Sequence, residues 1–449
     1  MTRNIRKNCA LTPILCGLLL VFGGQTQADD LISSYKLALL ADPQYQAAIE
    51  AHNAALEVVP QARAALLPNI GIGGDVSRDR FDPRNDVDTS YATNQTYSIG
   101  LRQTLYQRER FIQLEQADSR VAQADAQLIA AQQDLILRVA TRYFLVLGAH
   151  DNVEFVQADK EAIERTLDQA RQRFDVGLAP ITDTLEAQAR YDIAVSNEIN
   201  AEQLLADTEE ALRELTGELP VAPEILRAEI PMLKPDPANQ DEWVTTATEQ
   251  NPLVLSARAA AEVAKQEIQV KNSGHYPSLE AVANYSYLDN QFGGILPLER
   301  NDTSIGLELT IPLYQGGLIS SQTRQSRYEY NQAMEELVKQ RRATERQTRD
   351  NYRGVLAGIS KVEALQHAVL SNEKSVQAAE AGFEVGTRAI IDVLDSQRDL
   401  LATRRDHARS RYDYLLDTLE LKQAAGVLSA TDLAQVNEWL VENTQYVTP

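Results

Sequence analysis

The sequence repeats itself at a constant distance. Asp42-Pro43 recurs as Asn251-Pro252, Pro68 as Pro277, Tyr143 as Tyr352, and Phe174-Asp175-Val176-Gly177 as Phe383-Glu384-Val385-Gly386, each 209 residues on. Asp183 recurs as Asp392, Gln188 as Gln397 and Gly217 as Gly426 at the same offset, and only Leu105-Tyr106 and Leu313-Tyr314 drift to 208. A fixed period of this kind means two structurally equivalent units rather than one irregular fold. The expected division is a first copy over residues 29–217, a connector over 218–240, a second copy over 241–426 and a tail over 427–449. The connector region holds Pro220, Pro223, Pro231, Pro235 and Pro237, too many for a regular helix. The tail predicts a short helix near 431–441 and then a frayed end.

Each copy holds one stretch that is far too long for a compact domain. Residues 108–174 contain no proline over 67 positions, and 316–383 form the matching stretch of 68. In the first, Leu114, Ala117, Val121, Ala124, Leu128, Ala131 and Leu135 alternate spacings of three and four, the seam of a coiled coil. At 1.5 Å per residue such a helix is roughly 100 Å long. Two shorter segments of the first copy, 31–67 and 182–216, predict helices whose summed length matches the long one. The first of these is expected to break at Asp42-Pro43 and to kink at Pro60. Stacked end to end they run beside the long helix and make a rod or a tube wall. Gly177 and Gly386 end the long helices, since glycine takes the left-handed conformation that stops a helix. The segments near 174–181 and 383–390 are therefore hairpin tips.

At the other end of each long helix the period changes to two. Ile70, Ile72 and Val76 alternate with Asn69, Asp75 and Ser77; Tyr97, Ile99 and Leu101 alternate with Ser98, Gly100 and Arg102. The second copy repeats this with Leu279, Ala281, Ala283, Tyr285 and Tyr287, and with Ile305, Leu307, Leu309 and Ile311. These are β-hairpins near 68–106 and 277–314, with polar loops over 78–93 and 289–302. Apolar residues on one face suit either an ordinary half-buried sheet or a membrane barrel. In the membrane case, Tyr91, Tyr97, Tyr106, Tyr285, Tyr287 and Tyr314 supply interfacial girdles. The stoichiometry then follows from strand number. A closed membrane barrel needs at least about eight strands, and one chain offers four. Two chains give eight and three give twelve. Lipid tolerates no unpaired edge, so the oligomer is obligatory.

The N-terminus is consistent with export. Arg3, Arg6 and Lys7 precede an apolar run from Ala10 to Phe22, and Thr26-Gln27-Ala28 offers a small-residue cleavage site. Residues 1–28 are read as a signal peptide. Cys9 and Cys16, the only cysteines, both lie in it, so the mature chain has no thiol chemistry. Removing it takes the net charge from −21 to −24. So acidic a chain is a poor nucleic-acid partner; it favours cations or simply stays soluble. No later run of apolar residues reaches the 18 or so that a helical span needs.

Catalysis has no support in these residues. His52, His150, His275, His367 and His407 form no metal-spaced pair, and no phosphate-binding loop or nucleophile motif appears. Neither a metal nor another cofactor is expected. A soluble periplasmic coiled-coil rod, structural or adaptor-like, explains the heptads and the export but not two matching hairpins.

On Arg173-Phe-Asp-Val-Gly-Leu-Ala-Pro-Ile-Thr-Asp183, Val385-Gly-Thr-Arg-Ala-Ile-Ile-Asp-Val-Leu-Asp395 and Ile311-Pro-Leu-Tyr-Gln-Gly-Gly317, together with the duplication, the chain resembles the TolC family of outer-membrane efflux proteins. The resemblance runs from about Asp30 to Leu433. It implies a mainly α fold in which long antiparallel coiled-coil helices form a periplasmic tunnel. A homotrimeric, twelve-stranded β-barrel sits in outer-membrane lipid. It also implies a periplasmic adaptor (membrane fusion) protein as partner, with an inner-membrane efflux pump or ABC secretion transporter. The channel would conduct drugs, toxins or secreted proteins passively. Residue by residue, it makes Asp392 and Asp395 a constriction that selects cations, where the residues alone also allow two solvated surface acids. Thr182, Asp183, Phe383 and Arg388 become a gate latch, with Phe383 standing where a member of the family carries Tyr. Gly177 and Gly386 become the adaptor-contact tip.

Overall fold

The computed structural model describes residues 30–81, 90–218, 223–292 and 298–441. The expected signal peptide and the frayed end fall outside them. In chain order the helices are α1 (Leu31–Ala41), α2 (Pro43–Leu56), α3 (Val58–Ala64), α4 (Arg108–Asp175), α5 (Ile181–Thr216), α6 (Gln240–Gln250), α7 (Pro252–Asn272), α8 (Leu318–Glu384), α9 (Ile390–Ala425) and α10 (Ala430–Asn437). The strands are β1 (Asn69–Phe81), β2 (Ser90–Gln107), β3 (Ile225–Leu226), β4 (Ser278–Phe292), β5 (Leu298–Thr310) and β6 (Leu440–Val441).

The long helices are α4 and α8, of 68 and 67 residues. On the α4 seam Ala117, Ala124 and Leu135 are buried, while Leu114, Val121, Leu128 and Ala131 are half-buried. The shorter helices lie alongside. His52 on α2 meets Asp125 on α4 at 2.7 Å, and Lys160 on α4 meets Glu198 on α5 at 2.6 Å. Gln116 of α4 donates to Val263 O of α7 at 3.0 Å.

The two copies are joined internally in the same way. The Asp42 carboxylate accepts from Tyr45 N–H at 2.9 Å, and the Asn251 side chain accepts from Leu253 N–H at 2.9 Å. Each caps a helix that opens with a proline, whose missing N–H is harmless there. Gly217 and Gly426 close α5 and α9 with φ of 78° and 79°. A Cβ on Gly426 would come within 2.6 Å of Gln250 O, so a side chain is excluded there twice over, by clash and by conformation. Gly217 packs on Ala41, the residue equivalent to Gln250.

Two expectations need correction. Pro60 does not kink a continuous helix: the break is at Glu57, and Pro60 sits in the first turn of α3. The proline ring would clash with a carbonyl one turn earlier, so the helix restarts just upstream of it. The loops expected over 78–93 and 289–302 are too long. The strands run on through Phe81 and from Ser90, and through Phe292 and from Leu298. Charged residues such as Asp79 and Arg300 disguise strand as loop here. Only residues 82–89 and 293–297 of those loops fall outside the described residues.

The drift in the repeat also has a place. Asn69 pairs with Arg102, and Ser278 pairs with Thr310, so the first hairpin is one residue longer. The register returns at Gly316-Gly317, both left-handed, just before α8. At mid-length, β3 of the connector pairs with β6 of the tail, and Arg227 N–H donates to Trp439 O at 3.0 Å.

Candidate functional site

The two tips end alike. Gly177 and Gly386 have φ of 75° and 78°. Leu178 N–H reaches back to Arg173 O at 2.8 Å and Gly177 N–H to Phe174 O at 2.9 Å. Thr387 N–H reaches Gly382 O at 2.8 Å and Gly386 N–H reaches Phe383 O at 3.1 Å. This paired closure is the Schellman motif, which satisfies the last carbonyls of a helix. Gly177 and Gly386 are exposed, and open space surrounds them.

Below the tips a small core draws on all four helices. Leu167 and Ala170 come from α4, Ala187 from α5, Ala379 and Phe383 from α8, and Ile390 and Val393 from α9. Phe383 is 7% exposed and is part of this core, not of the surface. The Arg173 guanidinium lies 4.6 Å from its ring centroid and donates to Phe383 O at 3.0 Å. This cation–π contact plus hydrogen bond ties the end of α4 to the end of α8.

Arg388 is exposed, and its stem lies over Gly382, where a Cβ would stand 3.0 Å from Arg388 Cγ. Among the described residues no carboxylate is within ion-pair distance of its guanidinium. Thr182 Oγ1 donates weakly to Asp183 Oδ1 at 3.5 Å. Within one chain, then, Arg388 and Asp183 are not brought together.

The two acids of α9 differ. Asp392 is exposed and accepts from Ala389 N–H at 3.2 Å, capping its own helix. Asp395 is held by Arg190 of α5, Nη2 to Oδ1 3.0 Å, and approached by Arg398 Nη1 at 3.4 Å. Arg190 and Arg173 escaped the sequence reading. A signal was available for the first: 209 residues on from Arg190 stands Asp399, a reversal of charge between copies. The second stands in the last turn of α4, where a cation favours the helix end and looks unremarkable.

At the far end, β1, β2, β4 and β5 form one antiparallel sheet in that order. Ile72, Ile99, Tyr285 and Thr303 stand in one cross-strand row, and Ile70, Leu101, Ala283 and Ile305 in the next. Ile72 is 84% exposed and Ile305 86%, so this face packs on nothing within the chain. Tyr97 and Tyr287 stack across β2 and β4 with ring centroids 6.4 Å apart. On the other face, rows such as Gly73, Ser98, Ser286 and Asp302 are small and polar, and Arg102 pairs with Glu280 at 2.7 Å. An apolar face turned outward and a polar face turned inward is the division a membrane sheet needs. No helix among the described residues is long and apolar enough to cross a membrane.

A sequence model described as outer membrane efflux protein matches residues 34–218 and again 243–427, once on each copy. The chain belongs to the outer membrane efflux protein family. It is 38% identical to outer membrane protein TolC of Vibrio cholerae over 418 residues, covering 92% of this chain and 94% of that one. It is 34% identical to outer membrane protein TolC of Escherichia coli K12, covering 96% and 89%. The alkaline protease secretion protein AprF of Pseudomonas aeruginosa is 28% identical, with 95% and 90% covered. Among solved structures, the outer membrane protein VceC of Vibrio cholerae superposes with a TM-score of 0.74 at 19% identity, covering 88% of this chain and 96% of that one. The CmeC outer membrane channel of Campylobacter jejuni gives 0.76 at 15%, covering 94% and 91%. This family member is an outer-membrane channel of the efflux or type I secretion class, its helical tunnel extending into the periplasm. The family and fold are those of channels rather than enzymes. Membership removes the reading of a soluble periplasmic rod or adaptor.

Proposed function

We propose that three copies of the chain assemble around one axis, each repeat supplying one hairpin, so that their sheets close a twelve-stranded barrel in outer-membrane lipid. The observation that carries this is the open sheet. Its apolar face is bare and the outer sides of β1 and β5 are unpaired among the described residues. In lipid both edges must find partners, and identical neighbouring chains supply them edge to edge. The half-buried seam of α4 supports the same assembly, since it retains apolar surface for neighbouring helices.

The helices then enclose a tunnel that conducts passively. Its cargo is drugs, toxins or secreted proteins; protein cargo is favoured by the relative named for alkaline protease secretion. A periplasmic adaptor docks at the exposed tips around Gly177 and Gly386 and joins the channel to an inner-membrane efflux pump or ABC secretion transporter. The bare glycines support this, because backbone there is open to close approach by a partner.

The tip is the gate. Among the described residues Arg388 has no carboxylate partner in its own chain, and the latch to Thr182 and Asp183 is completed between neighbouring copies. Phe383 serves it from below, by holding α8 to Arg173. Asp392 and Asp395 form the constriction, where carboxylates repeated by symmetry attract cations. Purified protein in planar bilayers tests this reading. The parent is expected to conduct weakly and prefer cations, and Arg388→Ala or Asp183→Ala to raise single-channel conductance. Variants that conduct like the parent would remove the latch assignment.

A further inference from the structure

The two acids of α9 have unlike surroundings. Among the described residues no cation lies within ion-pair distance of Asp392, and its carboxylate's one hydrogen bond is the cap to Ala389 N–H. Asp395, one helical turn on, lies against two guanidinium groups. Arg190 Nη2 stands 3.0 Å from Asp395 Oδ1 and Arg398 Nη1 stands 3.4 Å from it. Arg398 in turn meets Asp399 at 3.1 Å, so Arg190, Asp395, Arg398 and Asp399 make a neutral set. Arg190 is only 31% exposed, and Asp395 44%. Arg190 sits next to Tyr191, which packs on the tip core, so its helix position is fixed by packing.

We propose that Arg190 is a specificity-determining residue of the channel. By pairing with Asp395 across the two hairpins, it withdraws that carboxylate from the field of the lumen and leaves Asp392 as the acid that selects cations. The proposal rests on the constriction reading and narrows it. The physics is that of paired charges at short range. A carboxylate facing an arginine at hydrogen-bond distance presents a dipole to a passing ion, and a dipole's field falls off faster than a charge's. The first copy shows that the device belongs to the tip and not to the repeat. At the positions 209 residues before Asp395 and Asp399 stand Glu186 and Arg190, so the cation of one copy serves the acid of the other.

Reversal potentials across a salt gradient, measured on trimers inserted in planar bilayers, test the assignment. Asp392→Asn is expected to lower the cation-to-anion permeability ratio clearly, and Asp395→Asn to leave it near the parent value. Arg190→Gln is expected to raise the ratio about two- to fivefold, the size expected of a partly exposed pair. Arg190→Lys should keep the parent ratio, and Arg190→Gln with Asp395→Asn should cancel the gain. The sign separates unmasking from loosening, since a merely widened tip selects less. If Asp395→Asn costs as much as Asp392→Asn while Arg190→Gln changes nothing, the assignment to Arg190 is overturned and the constriction stands. If Asp392→Asn also leaves the ratio unchanged, the constriction reading falls and the role of Arg190 with it.

Discussion

At mid-length the helices meet through large rings; at the tip they meet through alanine and branched aliphatic side chains. In the middle, Phe144 stacks on Tyr412 with centroids 5.6 Å apart and meets Tyr143 edge-on at 6.1 Å. Tyr412 donates to Asp151 at 2.7 Å, and Tyr414 donates to Leu233 O at 3.0 Å. The connector and the tail close over this core, with Leu226, Leu433 and Leu440 buried in it beside Trp243 of α6. At the tip, Ala170, Ala187, Ala194 and Ala379 share the core with Ile163, Leu167, Ile390, Val393 and Leu394; Phe383 is its one buried aromatic residue, with Tyr191 packed at its edge. Large interlocked rings resist sliding, because every displacement opens a void. The smaller alanine and aliphatic side chains of the tip interlock less. The same repeat thus yields a rigid girdle and a compliant end, and the compliant end is where a gate belongs.

Four substitutions probe that contrast. The largest effect is expected at the girdle. Phe144→Ala should cost about 3–5 kcal/mol, read as a lowered unfolding midpoint of the helical signal in detergent. A midpoint equal to the parent's would mean that the girdle is not the stabilising region.

Next comes the joint between α1 and α2. Asp42 is buried and forks with Arg138 at 2.7 and 3.1 Å. Burial pulls the Asp42 carboxyl upward, but the Arg138 guanidinium and the Tyr45 N–H outweigh it and hold it below the usual carboxylate range. A depressed folded value stabilises above the unfolded value of about 4 and is lost as pH falls through the folded one. Arg138→Met should cost about 1–3 kcal/mol at neutral pH. It should also flatten the loss of stability below about pH 4. An unflattened acid limb would assign that loss to other groups.

At the tip the readout changes from stability to conduction. Arg173→Ala removes a contact worth about 0.5–1 kcal/mol and should leave the unfolding midpoint nearly unchanged while raising resting conductance. A fall in midpoint without a change in conductance would make Arg173 structural only.

The smallest effect is expected between the two regions, at Asp159 on α4. Burial raises its carboxyl to about 6. The folded chain therefore holds a proton there more readily than the unfolded one, so stability falls as pH rises from about 4 through 6. Asp159→Asn should stabilise the protein at pH 7, by less than about 1 kcal/mol once solvent screening is allowed for. The variant should equal the parent near pH 4. A gain that persists there would mean that charge is not the cause.

Much of this contrast was legible in the residues. The seam of α4, the tip glycines and the period-two hairpins all express rules that act over a few residues, and the 209-residue offset multiplies them. The break at Glu57 was misplaced by three residues because proline disturbs the chain before itself. The strand ends were hidden because charged residues occupy them. Arg173 and Arg190 were missed for a different reason. Their partners, Phe383 and Asp395, are more than 200 residues away, and no local spacing encodes a meeting between two hairpins. The equality of Asp392 and Asp395 that the family resemblance implies fails in surroundings for the same reason: only Asp395 meets a cation of α5.

The closed barrel and the gate proposed between neighbouring copies both presuppose three chains around one axis, and the mass of the detergent-extracted protein tests that directly. Native mass spectrometry of protein released from outer membranes is predicted to show three mature chains, with no free monomer in the absence of denaturant. A mass of two chains, or a monomer released without detergent, would contradict the account.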